Sequence, residues 1–330
     1  MISIGLIGVG GICQVHLKNL VKMSGVQIAA VCDIDPHRAQ EVGKQLDATP
    51  YTRYRNMLRR EHFDACYVCL TPSVHGTIEY ELAEAQIPFF VEKPVHLKLE
   101  FCEGVLNEVD KHNLITAVGY HWRYMDTTKA VKAFIAKRRI TAVDGGWQGA
   151  IPEHALWWPQ MKLSGGQLVE QATHIVDLAR YLAGDIDTVF ASGTKGAFAD
   201  IDKYDIYDAS LTNLQFDSGA VGVISTGCVA SGTVPSRVGL TVSGRGWQAD
   251  VKQRDGQIIH ERGKRKLKDN AKDFIEQIGR GDAAFIHAVK TGKTDRIRST
   301  YRDATQTLAV TLAANESMRT GEPVTVERFM

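Results

Sequence analysis

No stretch of this 330-residue chain approaches the roughly 20 consecutive apolar residues that a bilayer-spanning helix needs, so no membrane span is expected. Excess charge of either sign is also lacking. With 39 Lys and Arg against 38 Asp and Glu, no overall field draws the chain to nucleic acid or to an anionic membrane surface. A basic and apolar leader is missing, because a strand pattern starts at Ile2, and with only six cysteines a reducing cytoplasm is the expected setting. Internal repeats and low-complexity tracts are absent. Cys66-Tyr67-Val68-Cys69 has the spacing of a redox pair, but its run reads as a buried strand, where residues three apart face opposite sides.

What is present is length, and 330 residues exceed what one core usually supports, so two domains are expected. Residues 1–122 alternate short apolar strands (2–7, 27–32, 65–70, 88–91 and 115–118) with helical patterns. This rhythm predicts right-handed βαβ units, and hence an α/β doubly wound parallel sheet of Rossmann type covered by helices on both faces. After Arg123 the rhythm changes to a helix over 166–182 and then strands over 189–198, 206–216, 220–229, 237–243 and 248–252. Hairpin signals at Asp217-Ser218-Gly219 and Ser243-Gly244-Arg245-Gly246 predict an open, mainly antiparallel sheet in an α+β second domain, residues 123–330. Helices over 271–290 and 302–320 and a short strand over 324–326 close the chain. The basic run 262–268 reads as a solvated loop, since acidic residues follow it and no aromatics interleave it for base stacking.

The first strand leads into Gly8-Val9-Gly10-Gly11-Ile12. Gly8 and Gly10 permit the tight turn and close backbone approach that a pyrophosphate requires, and the helix from Gly11 presents free N–H groups to it. Ile12 belongs to the same loop. Cys13 stands where Gly or Ala is commoner, which asks only that helix and strand still pack closely. Asp33, 23 residues after Gly10 at the end of the second strand, can accept both ribose hydroxyls of an adenosine and would repel a 2′-phosphate. NAD is therefore expected in preference to NADP, although His37 and Arg38 partly offset that repulsion. The alternative for Asp33 is a cap on the helix beginning near Pro36.

The set GVGGI at 8–12, CDID at 32–35, TPSVHG at 71–76 and VEKPV at 91–95 resembles the Gfo/Idh/MocA family of oxidoreductases, and the resemblance continues through GYHWRY at 119–124, GGQLVEQATHIVD at 165–177 and GEPV at 321–324. It implies an N-terminal NAD-binding Rossmann domain, a C-terminal domain for substrate binding and oligomerisation, and a substrate pocket between them where the nicotinamide emerges. It further implies that Thr71, Pro72 and His75 line the cofactor at the fourth strand and Glu92 and Lys93 at the fifth. A cis Lys93–Pro94 bond is part of the same implication. Assembly as a homodimer or homotetramer through an exposed face of the second sheet is the family-level expectation.

Oxidising a secondary alcohol needs a proton acceptor and a charge that holds the oxygen while a hydride leaves carbon. His174, since an unperturbed imidazole titrates near neutrality, and Lys93 are residues of those types, and the resemblance assigns them as proton relay and substrate anchor. Glu170 and His174 stand four apart on a predicted helix, with Asp177 one turn beyond, so all three are expected on one face. Many relatives have Asp where this chain has Glu170, and the extra methylene shifts the carboxylate by about a bond length. Thr173 adds a hydroxyl. The competing readings of this trio are a solvated helix face and a metal site, but no separate His or Cys cluster completes a coordination shell.

Tyr120, Trp122 and Arg123 belong to the junction motif, and His121, Trp122, His154, Trp157 and Trp158 are expected to border the pocket. Flat aromatic faces suit the C–H faces of a ring whose hydroxyls bind His and carboxylate. A sugar, polyol or cyclitol is the expected substrate of an NAD-dependent dehydrogenase. Two other functions use the same residues: NAD-assisted cleavage of a glycoside, in which the cofactor is regenerated, and non-catalytic nucleotide sensing.

Overall fold

The computed structural model describes residues 1–152 and 155–329, so His154 lies outside the described residues. The chain falls into two compact units, residues 1–121 with 271–304 and residues 122–270 with 305–330.

The first unit carries strands β1 (Ile2–Ile7), β2 (Val26–Cys32), β3 (Thr49–Tyr51), β4 (Ala65–Val68), β5 (Phe89–Val91) and β6 (Thr116–Val118), all parallel, in the order β3-β2-β1-β4-β5-β6. Helices α1 (Gly11–Leu20), α2 (Pro36–Leu46), α3 (Tyr54–Arg60), α4 (Thr77–Glu84) and α5 (Leu99–Lys111) make the crossovers. Every residue of β4 and β5 is buried, as expected for central parallel strands covered on both faces, and this is why Ala-Cys-Tyr-Val and Phe-Phe-Val show no alternation. Only β3 escapes the sequence reading, because Thr-Pro-Tyr is too short and too polar to show a pattern.

The second unit carries α6 (Asp126–Ile135), β7 (Ala142–Gln148), α7 (Met161–Ser164), α8 (Gln167–Glu170), α9 (Thr173–Ala183), β8 (Ile186–Thr194), β9 (Ala209–Phe216), β10 (Val221–Gly227), β11 (Arg237–Gly244), β12 (Trp247–Lys252), β13 (Asp255–His260) and β14 (Gly263–Lys268). With β15 (Val324–Thr325) these strands form a nine-stranded sheet in the order β14-β13-β12-β11-β7-β10-β9-β8-β15. All its pairs are antiparallel except β7 with β10. In β9 the residues Ser210, Thr212, Leu214 and Phe216 are buried while Leu211, Asn213 and Gln215 are exposed, the mark of a sheet covered on one face. The basic run expected to be a loop is instead the edge strand β14, exposed except at Leu267. Lysines on an edge strand deter pairing with another chain, which accounts for that composition.

Helix α10 (Phe274–Thr291) returns to the first unit, where Phe285 and Ile286 join the core formed by Ile4, Leu6, Leu17, Tyr67 and Phe90. A division of the chain at 122/123 does not contain this return. The last helix is α11 (Tyr301–Thr320).

Candidate active site

In the first unit the strand ends carry most of the candidate residues. Gly8 adopts φ +79°, and a Cβ there would stand 2.3 Å from the Cys69 carbonyl oxygen, so the turn after β1 accepts only glycine. Gly10 is the N-cap of α1 and supplies no side-chain cap, and a Cβ on Gly11 would meet no described atom within 4 Å. The first-turn N–H groups of α1 have no carbonyl four residues earlier within the helix to bond, and such groups can receive a phosphate. Ile12 is half-buried against the core, and Cys13 is fully buried within it.

Asp33 is only 6% exposed at the end of β2. Its Oδ2 accepts from the Val9 N–H (3.0 Å), its Oδ1 accepts from the Asp35 N–H (3.0 Å), and Arg38 Nη1 donates to it at 3.2 Å. The helix cap considered for Asp33 belongs to Asp35, whose carboxylate accepts from the N–H groups of His37 and Arg38. Asp33 is left to tie the glycine loop to β2 through the Val9 N–H, with Arg38 beside its carboxylate. This donor and acceptor set suits NAD: backbone N–H groups for the pyrophosphate and a carboxylate for the ribose.

Thr71 precedes a short 3-10 turn, Pro72–Val74, in which Pro72 is buried. Both ring nitrogens of His75 have partners within the unit. Nδ1 lies 2.5 Å from Glu79 Oε1 and Nε2 3.2 Å from the Leu70 carbonyl, so the ring braces the loop. Glu92 also turns inward. Its Oε1 meets His16 Nε2 at 3.1 Å and its Oε2 accepts the Lys93 N–H at 3.2 Å. The Lys93–Pro94 bond is cis, and Lys93 is half-buried. Burial pushes the His121 imidazole down to about 4, with Glu92 raising it and Lys93 lowering it, so this ring is neutral beside Lys93.

In the second unit Glu170 and His174 do not share one helix. The helix breaks at Gln171 and Ala172, so Glu170 ends α8 and His174 lies in the first turn of α9. Glu170 Oε2 accepts from Trp158 Nε1 at 2.7 Å, and the His174 ring stacks on Trp147 with centroids 6.0 Å apart. Asp177 takes a third direction, receiving Arg123 Nε at 2.7 Å and Nη2 at 2.6 Å. Arg123, expected at substrate, is thus bound side-on to a buried carboxylate and lies over the Tyr181 ring at 4.8 Å. Tyr120 and Trp122 are each 1% exposed. Thr173 is buried, and Trp157 is half-buried against Trp158, Ile206 and Cys228.

His16, Asp282 and Trp147 escaped the sequence reading. No local pattern marks His16 and Asp282, which stand 266 positions apart and meet at 2.6 Å. Trp147 lies in Asp-Gly-Gly-Trp-Gln, a strand with too many glycines to show alternation. All six cysteines are unbridged and buried. Among the described residues no helix is long and apolar enough to cross a membrane, and no group of three His, Cys, Asp or Glu is placed to hold a metal ion.

Comparison with known proteins defines the class. Residues 2–120 match the oxidoreductase family with an NAD-binding Rossmann fold, and residues 131–246 match the Gfo/Idh/MocA C-terminal domain. The chain belongs to the Gfo/Idh/MocA family and is an NAD-dependent oxidoreductase. It is 25% identical to the myo-inositol 2-dehydrogenase of Thermotoga maritima over 99% of both chains. It is 29% identical to the scyllo-inositol 2-dehydrogenase (NAD(+)) of Bacillus subtilis over 98% of this chain and 95% of that one. Among solved structures, a levoglucosan dehydrogenase with NADH and levoglucosan shares the fold with a TM-score of 0.88 at 20% identity, over 99% of each chain.

Proposed function

We propose that this protein transfers a hydride between a secondary alcohol of a sugar, polyol or cyclitol and the nicotinamide of NAD, with Lys93 holding the alcohol oxygen and His174 exchanging its proton. The observation that carries the substrate class is the likeness to two inositol 2-dehydrogenases along nearly the whole chain. NAD, when bound, supplies the hydride acceptor. The backbone of Gly8, Gly10 and Gly11 and the first turn of α1 would hold its pyrophosphate, and Asp33 its adenosine ribose.

The remaining roles belong to the chain's own side chains. An ammonium at Lys93 favours the developing alkoxide over the neutral alcohol, which lowers the cost of deprotonation. Trp147 lies against one face of the His174 ring and restricts its tilt. Glu170, bonded to Trp158, is assigned to orienting the pocket wall, since its carboxylate already accepts from the indole N–H. Homo-oligomerisation and a reducing compartment go with this reading, the latter in keeping with six buried, unbridged thiols.

The test is a panel of inositols and sugars with NAD and with NADP, followed by nicotinamide absorbance and by release of aglycone from glycosides. NADH formation is expected with a cyclitol or sugar. Loss of about 10²–10⁴ in turnover is expected in Lys93→Ala and in His174→Asn. Wild-type rates in either variant remove that residue's role, and aglycone released without net NADH replaces the dehydrogenase with glycoside cleavage.

A further inference from the structure

His16, Glu92 and Asp282 are contributed by α1, the segment after β5 and α10, and all are buried. The His16 ring is 0% exposed, with Nδ1 2.6 Å from Asp282 Oδ1 and Nε2 3.1 Å from Glu92 Oε1. A neutral imidazole carries a single N–H, so it could serve only one of these carboxylates and would turn a lone pair on the other. Only the imidazolium donates to both. The outer oxygens are occupied too: Asp282 Oδ2 receives Asn19 Nδ2 at 3.2 Å, and Glu92 Oε2 receives the Lys93 N–H at 3.2 Å. The rings of Tyr67 and Phe90, 5.5 and 5.0 Å from the imidazole, shield it from water. Gly119 closes the other side, since a Cβ there would lie 2.1 Å from Glu92 Oε1.

We propose that His16 is a positioning residue. Held as an imidazolium between Asp282 and Glu92, it fixes the Glu92 carboxylate against the Lys93 N–H and so sets where the Lys93 ammonium stands. This inference rests on the proposed role of Lys93. A merely structural site of this size would be served by an apolar side chain, because burying charges costs more than their attraction returns unless every partner is in place. Here each oxygen and each ring nitrogen has a partner, and the chain of contacts ends on the backbone of Lys93. The other titratable groups around it are Tyr67, Cys13 and Cys69 in the core and Lys93 and His121 beside Glu92.

Two measurements test it. In ¹⁵N-histidine-labelled protein, with the His16 signals assigned by their loss in His16→Asn, both ring nitrogens are expected to carry protons from about pH 6 to about pH 8. Asp282→Asn should remove that signature. A neutral His16 ring in the native protein overturns the proposal. The second measurement is a double-mutant cycle on turnover. His16→Asn is expected to lower kcat by about 10²-fold with the dissociation constant for NAD little changed, as a small misplacement of a reacting group does. Combined with Lys93→Arg, it should add almost nothing to the loss already caused by Lys93→Arg, because the two residues act as one unit. Asp282→Asn repeats the cycle should His16→Asn fail to fold. If Lys93→Arg is impaired and the second loss multiplies in full, the positioning role of His16 fails alone. If Lys93→Arg turns over at the native rate, the assigned role of Lys93 fails and this inference falls with it.

Discussion

His16 and His121 both lie near Glu92, and their surroundings give them different charge states. At His121 burial dominates and holds the ring neutral, down to about 4. At His16 burial also lowers proton affinity, but the charge and hydrogen bond of Asp282, with those of Glu92, together hold the ring well above 6.5. Because the folded-state value of His16 is raised, its stabilisation is full below 6.5 and is lost as pH climbs through the folded-state value. Glu92 runs the other way: burial raises it, yet His16 and Lys93 bring it below 4.5, so its stabilisation is full above 4.5 and is lost as pH falls through the folded-state value. The gap in melting temperature between the native protein and His16→Asn should therefore be widest between 4.5 and 6.5 and narrow on both sides. A gap that keeps growing above neutrality contradicts a charged His16. The composition of the Glu92-Lys93 segment was readable as chemistry, but not its direction. A side chain that could reach a ligand turned inward because a cation 76 positions away in sequence met it.

At the scale of elements, the sequence pattern implied one helix over 166–182, and the structure has two. The difference is chemical as well as geometric, because it sends Glu170, His174 and Asp177 to Trp158, Trp147 and Arg123 in turn. Asp177 anchors α9, and through it the backbone of His174 one turn earlier. Its partners include the Arg123 guanidinium and the Thr307 hydroxyl, which donates at 3.0 Å. Arg123→Met would remove one buried, two-point ion pair from the Asp177 carboxylate, at a cost of up to about 3–5 kcal/mol. The expected result is a matching fall in the denaturant midpoint, with partial recovery in Arg123→Lys; a midpoint within error of the native value would show that Arg123 does not anchor α9. Strand β14 teaches the complementary lesson. Gly-Lys-Arg-Lys-Leu-Lys carries no apolar alternation, so its pairing with β13 becomes visible only when the partner strand is in place.

The whole chain is not divided as its linear order suggests. The pattern over 271–290 identifies a helix but not the core it joins, and Phe285 packs with Tyr67 and Phe90 of the first unit. The first unit, so completed, holds the glycine loop, Asp33 and Lys93. A ligand that binds only the folded state stabilises it by mass action, about 2.7 kcal/mol at a hundredfold excess over the dissociation constant. NAD should therefore raise the melting temperature by the corresponding amount, and NADP at the same concentration should raise it much less, since the Asp33 carboxylate repels a 2′-phosphate. An equal or larger rise with NADP contradicts the role given to Asp33.

The doubly wound parallel sheet of the first unit, the glycine turn after β1 and the family were all legible in the sequence. They rest on local causes: strands buried on both faces, a turn that admits only glycine at Gly8, and fixed spacings along one chain segment. Tertiary structure alone decided the inward turn of Glu92, the charge on His16, the occupation of Arg123 by Asp177 and the return of α10. Each of these depends on a partner distant in sequence. In a buried setting the balance of desolvation against the nearest charged partners, and not the residue type alone, determines which way a polar side chain points and whether it carries a proton.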